Sequence, residues 1–225
     1  IEAVGNDASI RAVVLAGAGP GFCAGHDLKE LTAARSSEDR GRAFFQNTMK
    51  LCSTLMQAIV NCPKPVIARV HGIATAAGCQ LVASCDLAVA AEEAKFATPG
   101  VNIGLFCSTP MVALSRNVTR KHAMEMLLTG DFIPAQRAYE MGLINKVAPS
   151  EELDAVAMEF ASKIVSKSPL TLKTGKKAFY EQIDKDLRGA YDYASEVMVK
   201  NMLARDAEEG IGAFIEKREP KWEDR

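Results

Sequence analysis

Apolar positions along the chain follow two rhythms. In the first, short runs of β-branched and small residues are bounded by glycine or proline. RAVVLAG (11–17), VIARV (66–70) and LAVA (87–90) are such runs, and their length and make-up predict buried strands. In the second, apolar residues recur every three or four positions. Over 41–60, Phe45, Met49, Cys52, Met56 and Ile59 share one helical face, which Pro63 and Pro65 close off. A short helix is predicted from about Ala76 to Ser84, and another opens at LKEL with Asp27 as its cap.

Strand, helix, strand, helix, strand is the order expected of parallel strands joined by right-handed crossovers. Beyond Thr98 the pattern turns helical. An amphipathic helix is predicted over 151–168, stopped by Pro169. Over 186–204, Leu187, Tyr191, Ala194, Met198 and Met202 share a face, and a last helix over 206–217 takes Asp206 as its cap. The reading is α/β: a core over residues 1–150, then a helical part over 151–225.

Composition narrows the function classes. Among 225 residues, 48% are hydrophobic and 24% charged, enough for a packed core. Basic residues number 27 against 28 acidic, so no nucleic-acid footprint shows and none is expected as a partner. No apolar run approaches the ~20 residues of a membrane span. The opening IEAVGNDASIR lacks the basic head and apolar middle of a signal peptide. The cysteines at 23, 52, 62, 79, 85 and 107 form no C-x-x-C pair, and His26, His71 and His122 have no metal-ligand spacing. Buried thiols in a reducing compartment are expected, with no metal: the cytoplasm, or the mitochondrial matrix in a eukaryote.

Two phosphate motifs fail on inspection. GAGPGF would need its third glycine at Phe22, and TGKKAF would need its opening glycine at Leu170. Lys173, Lys176 and Lys177 read as a solvated helical face. Two strand-to-helix junctions remain, FCAGHD (22–27) and ATAAGCQ (74–80). Parallel α/β sheets bring such junctions to one edge, where ligands bind. Small residues admit a ligand close to the backbone, and free N–H groups at helix starts favour an oxygen that carries negative charge. Two N–H groups from separate turns then hold one oxyanion; the plain alternative is two tight connections.

FCAGHDLKEL, PKPVIARVHGIATAAGCQLVASCDLAVAAEEAKFATPGVNIGL, MEMLLTGDFIPAQRAYEMGLINKVAP and EGIGAFIEKREPKW resemble, in order, the blocks of the crotonase (enoyl-CoA hydratase/isomerase) superfamily. ATAAGCQLVASCD and FATPGVN are similar in form to its enoyl-CoA hydratase domain-containing protein three branch. The resemblance implies a crotonase-like (ClpP/crotonase) spiral of ββα units, preceded in the family by a β-hairpin and a helix, with a helical trimerisation region. It implies an acyl-CoA thioester as substrate or ligand, no separate cofactor, and a homotrimer or hexamer.

Carried over residue by residue, the resemblance makes His26 and Ala77 the backbone donors to the thioester oxygen. Phe22, Ala24, Asp27, Leu28 and Lys29 fall in the stretch along the CoA chain. Phe214 and Lys217 match an aromatic and a lysine at the nucleotide end. Gln80 and Gly100 stand where relatives that hydrate carry two glutamates. Glutamine exchanges no proton near neutral pH and glycine offers no group, whereas general acid–base help is worth about 10²–10⁴ in rate. His26 and Cys107 are the titratable candidates to replace them, or else they line the wall. Two functions stay open: an enzyme of hydratase/isomerase type that stabilises a thioester enolate, and a non-catalytic acyl-CoA-binding or regulatory protein.

Overall fold

The computed structural model describes residues 1–225. In chain order its elements are α1 (Glu2–Asn6), β1 (Val13–Ala16), α2 (Leu28–Ala34), α3 (Arg42–Val60), β2 (Val66–Val70), β3 (Ile73–Thr75), α4 (Ala77–Ser84), β4 (Leu87–Ala91) and β5 (Lys95–Ala97). A 3₁₀ turn (Pro99–Ile103) follows, then α5 (Pro110–Asn117), α6 (Arg120–Thr129), β6 (Ile133–Pro134), α7 (Ala135–Glu140) and β7 (Lys146–Ala148). The chain closes with α8 (Leu153–Val165), α9 (Pro169–Gln182), α10 (Leu187–Met202) and α11 (Arg205–Glu216).

The strands divide between two sheets. One has the order β1-β2-β4-β7 and the other β3-β5-β6. β2 and β4 pair in parallel, as do β4 and β7, and β3 and β5. The chain visits the sheets in turn: β2 then β3, α4, β4 then β5, and later β6, α7, β7. The first two passages each begin with two strands and go on into helix, the third runs strand, helix, strand, and the turns stack into a spiral. The three predicted strands form at their predicted places. The second sheet is an addition, because its strands of two or three residues are too short to show alternation in a sequence.

Two compact units emerge. The first comprises Ile1, Val14–Val60 and Val66–Met158. Its core is made by Val66, Ile67, Ala68 and Val70 of β2, Val89, Ala90 and Ala91 of β4, and Phe96, all fully buried. The second comprises Glu2–Val13, Asn61–Pro65 and Glu159–Arg225. Within it, α10 is capped by Asp186, which accepts from the Gly189 N–H at 2.8 Å. Its predicted apolar face is not covered: Leu187 is 76% exposed and Met198 62%.

Asp206 corrects a sequence expectation. The cap of α11 is Ala204, and Asp206 lies inside the first turn, 1% exposed. Its carboxylate accepts from Ser168 Oγ at 2.5 Å and from the N–H of Glu223 at 2.7 Å and Asp224 at 3.3 Å. An aspartate in a first turn looks like a cap in sequence; here the returning tail takes its oxygens. Nearby, Arg218 grips Glu209 with two bonds, at 2.6 and 2.9 Å, while the Lys221 N–H donates to the same carboxylate. These bonds hold the Glu209 carboxyl at about 2, the Arg218 guanidinium contributing most.

Two predictions follow from this clasp. Asp206→Ala strands one buried hydroxyl and two N–H groups and should lower unfolding free energy by about 2–4 kcal/mol, read by denaturant titration. Glu209 binds fewer protons folded than unfolded, so its contribution is whole above its ordinary value of 4.5 and drains away as pH falls toward 2. Glu209→Gln should therefore flatten the stability–pH curve between those two values.

Candidate active site

The two glycine-containing junctions meet in the first unit. Cys23 lies beside Ala74 as an isolated parallel bridge. The N–H groups of Phe22 and Cys23 both donate to the Ile73 carbonyl, at 2.9 and 3.0 Å, and the Thr75 N–H donates to the Cys23 carbonyl at 2.9 Å. Thr75 Oγ1 donates to the Ala24 carbonyl at 3.1 Å, so the second junction reads the first through main chain and side chain alike.

Glycine permits this approach. A Cβ on Gly78 would lie 2.0 Å from the Cys23 carbonyl oxygen. Gly25, at φ +95°, has no room either: a Cβ there would meet the Ala76 Cβ at 3.1 Å and the Ala77 nitrogen at 3.5 Å. Ala76 enters α4 at φ 51°, ψ −117°, a conformation L-residues rarely adopt. Its N–H is tied to the Ala97 carbonyl at 3.0 Å and its carbonyl to the Gln80 N–H at 3.0 Å. Such strain, about 1–3 kcal/mol, persists where surroundings over-determine the backbone and clusters at functional sites.

The N–H groups of His26 and Ala77 donate to no protein acceptor. Ala77 is the first residue of α4, so its N–H is one of the helix's unpaired starting donors. The His26 side chain is half-buried, with Nε2 shielded from solvent and without a partner.

Gln80 sits one turn into α4 and is 4% exposed. The contact made by its amide is Oε1 accepting from the Cys52 thiol of α3 at 3.7 Å. Gly100 is buried in the 3₁₀ turn that follows β5. A Cβ on it would meet the Cys107 sulfur and the Leu105 carbonyl oxygen, each at 2.9 Å, and the Gly100 N–H bonds to that sulfur. The Cys107 thiol thus fills the space a side chain at 100 would enter. Burial pushes the Cys107 and Cys52 thiols up, and burial with the neighbouring Cys107 pushes Cys79 up to about 12. All three stay protonated at neutral pH, so Cys107 is a donor rather than a base. Thr98, fully buried, has a hydroxyl with no partner.

Phe22 is buried beneath the first junction. Asp27 caps α2 through the Lys29 N–H at 2.7 Å, and Ala24, Leu28 and Lys29 are exposed beside it. Phe214, 84% exposed, and Lys217, the left-handed C-cap of α11, belong to the second unit. Sequence reasoning missed Ala76, Gly25 and Cys52 as parts of the site. The glycine of FCAGHD was the one signal that pointed at Gly25; Ala76 carries no mark of its conformation, and Cys52 none beyond its place on the inner face of α3.

A family model described as "Enoyl-CoA hydratase/isomerase" matches residues 1–225. The chain is 53% identical over 213 residues to mouse "Enoyl-CoA hydratase domain-containing protein 3, mitochondrial", covering 95% of this chain and 69% of that protein. Among solved structures, an enoyl-CoA hydratase of Mycobacterium smegmatis superposes with a TM-score of 0.93 at 52% identity, covering 98% of this chain and 84% of that one. The human enoyl-CoA hydratase domain-containing protein 3 gives 0.91 at 50% identity, covering 97% of this chain and 84% of that one.

Gly78→Ala tests the contact on which this geometry depends. Overpacking of this kind typically costs about 1–3 kcal/mol. At about 2–4 °C per kcal/mol for a chain of this size, the melting temperature should fall by about 2–12 °C. Gly175→Ala, inside α9 where an added Cβ meets open space, is the control and should hold or raise it, since alanine favours a helix interior by about 0.5–1 kcal/mol over glycine.

Proposed function

The chain belongs to the enoyl-CoA hydratase/isomerase family, in the enoyl-CoA hydratase domain-containing protein 3 branch of the crotonase superfamily, and from that premise we propose that it binds acyl-CoA thioesters and stabilises their enolates. The observation that carries this is the pair of undonated amides, His26 N–H and Ala77 N–H, on two junctions locked side by side. A thioester carbonyl accepts from both. As its α-carbon gives up a proton, the oxygen gains charge and the two bonds strengthen; one such donor is worth about 10²–10³ in rate. Phe22, Ala24, Asp27, Leu28 and Lys29 flank the pantetheine chain.

Water addition is not what this site does well. Hydration needs a base to draw a proton from water and an acid to deliver one to carbon. Gln80 is an amide, and at residue 100 a thiol from Cys107 stands against bare backbone. Chemistry that leans on enolate stabilisation alone, such as isomerisation, decarboxylation or thioester hydrolysis, fits these residues better. The uncovered apolar face of α10 supports self-association into a trimer or a pair of trimers.

The test mixes the protein with crotonyl-CoA, follows loss of the conjugated thioester absorbance, and measures heats of binding on the same ligand. Binding with slow hydration is expected, and Gln80→Glu should raise the hydration rate by about 10²-fold or more. Fast hydration by the unaltered protein would refute the argument from the missing acids; no binding of any thioester would refute the proposal itself.

A further inference from the structure

A cavity of about 270 Å³ lies wholly within the second unit, and none of its lining residues belongs to either junction. Cavities that take drug-sized ligands run to about 300–1,000 Å³, so this one suits a smaller guest. Three segments distant in sequence line it, and each contributes one cation: Arg11 from the stretch before β1, Lys64 from the link between α3 and β2, and Lys173 from α9. One carboxylate, Asp224, joins them. The lining therefore carries an excess of positive charge. Pro169 and Leu172 place the start of α9 against the same cavity, and the dipole of this 14-residue helix adds partial positive charge there.

The rim is fixed by the fold. Arg11 Nη2 donates to the Val165 and Lys167 carbonyls at 3.1 and 2.7 Å. Its Nε is shielded from solvent and has no protein acceptor, and a buried donor on a charged group is costly to leave unpaired. Lys64 stands between two prolines, and a residue before proline is itself confined. Lys176 Nζ donates to the Lys64 carbonyl at 3.1 Å, which ties α9 to that link. A Cβ on Gly5 would meet Pro63 Cδ at 3.1 Å, so α1 presses on it from the other segment. Asp7 feels the charge of Lys64 but does not line the cavity, and its Oδ1 already accepts from the Ser9 N–H and hydroxyl at 2.8 and 2.7 Å.

We propose that this cavity binds a phosphate group, as the free ion or as a compact phosphate monoester, on the side chains of Arg11, Lys64 and Lys173. Such a group carries about −1.5 to −2 at neutral pH, which matches three cations set against one carboxylate; a monocarboxylate would leave about half of that excess unmet. Guanidinium and ammonium groups both pair well with phosphate oxygens, and the volume admits the group with little attached. The bound ion bridges three segments that the chain itself does not join closely. Occupancy of the cavity is therefore linked to the stability of the second unit.

Thermal melting and calorimetry on the full chain test this, at constant ionic strength with chloride as the balancing anion. Inorganic phosphate and glycerol 3-phosphate separate the free ion from a monoester, and acetate is the monoanion control. At about 100-fold above its Kd, the phosphate ligand should raise the melting temperature by about 5–10 °C, and acetate should do no more than chloride. Lys173→Gln, at an exposed position, should weaken phosphate binding about tenfold or more. Lys177→Gln, on the same helix but outside the cavity, should leave it unchanged. Asp224→Asn removes the one repelling charge and should tighten binding severalfold; asparagine tolerates the left-handed φ of 61° found there. A response to inorganic phosphate alone assigns the free ion, and a stronger response to glycerol 3-phosphate assigns a monoester; each supports the proposal. It is overturned if phosphate shifts melting no more than acetate does, or if Lys173→Gln and Asp224→Asn both leave phosphate affinity where it was.

Discussion

Everything near the candidate site depends on two stretches of main chain lying closer than side chains allow. The Cys23 carbonyl rests against Gly78, where a single added carbon would sit 2.0 Å from its oxygen. That contact lets the Thr75 N–H and hydroxyl bond to Cys23 and Ala24. It sets where α4 begins and holds Ala76 in a strained conformation, with its N–H fixed to β5. The free N–H groups of His26 and Ala77 follow as consequences. They are available because the junctions are short, and adjacent because glycines occupy the seam.

The surroundings of α4 supply hydrogen-bond donors and little charge. Cys52, Cys79 and Cys107 are all pushed toward the thiol form by burial, and Gln80 is neutral at any ordinary pH. Uncharged donors do not repel a developing oxyanion, and their desolvation penalty is smaller than that of ionised groups. Under the proposed function, such surroundings suit the stabilising of negative charge better than the moving of protons. This separates a site that holds an enolate from one that adds water.

Much of the fold was legible because its inner strands are β-branched runs that need both faces buried: RAVVLAG, VIARV and LAVA each announced themselves. Strands β3, β5 and β6 did not, since two or three residues form no pattern and pair only because the first sheet delivers them. Asp206 misled because a first-turn acid and a cap look alike in sequence. At the site, the crowding of alanine and glycine before Gly78 pointed at a close approach, and two junctions pointed at two donors. Other features were beyond reach of sequence. Alanine carries no mark of a positive φ, so Ala76 stayed hidden. The thiol that donates to Gln80 comes from 28 residues away, on a helix face indistinguishable from ordinary core.

The filling of the Gly100 niche by Cys107 couples the two positions as one unit of variation. A side chain introduced at 100 alone collides with both a sulfur and the Leu105 main-chain oxygen. Clearing the sulfur by a second substitution still leaves the carbonyl in the way. Placing any larger side chain there thus requires remodelling the 103–107 loop, not a point change. Positions 100 and 107 are therefore free to change only together with the backbone between them, whereas a site that faces open space, such as Gly175, carries no such tie.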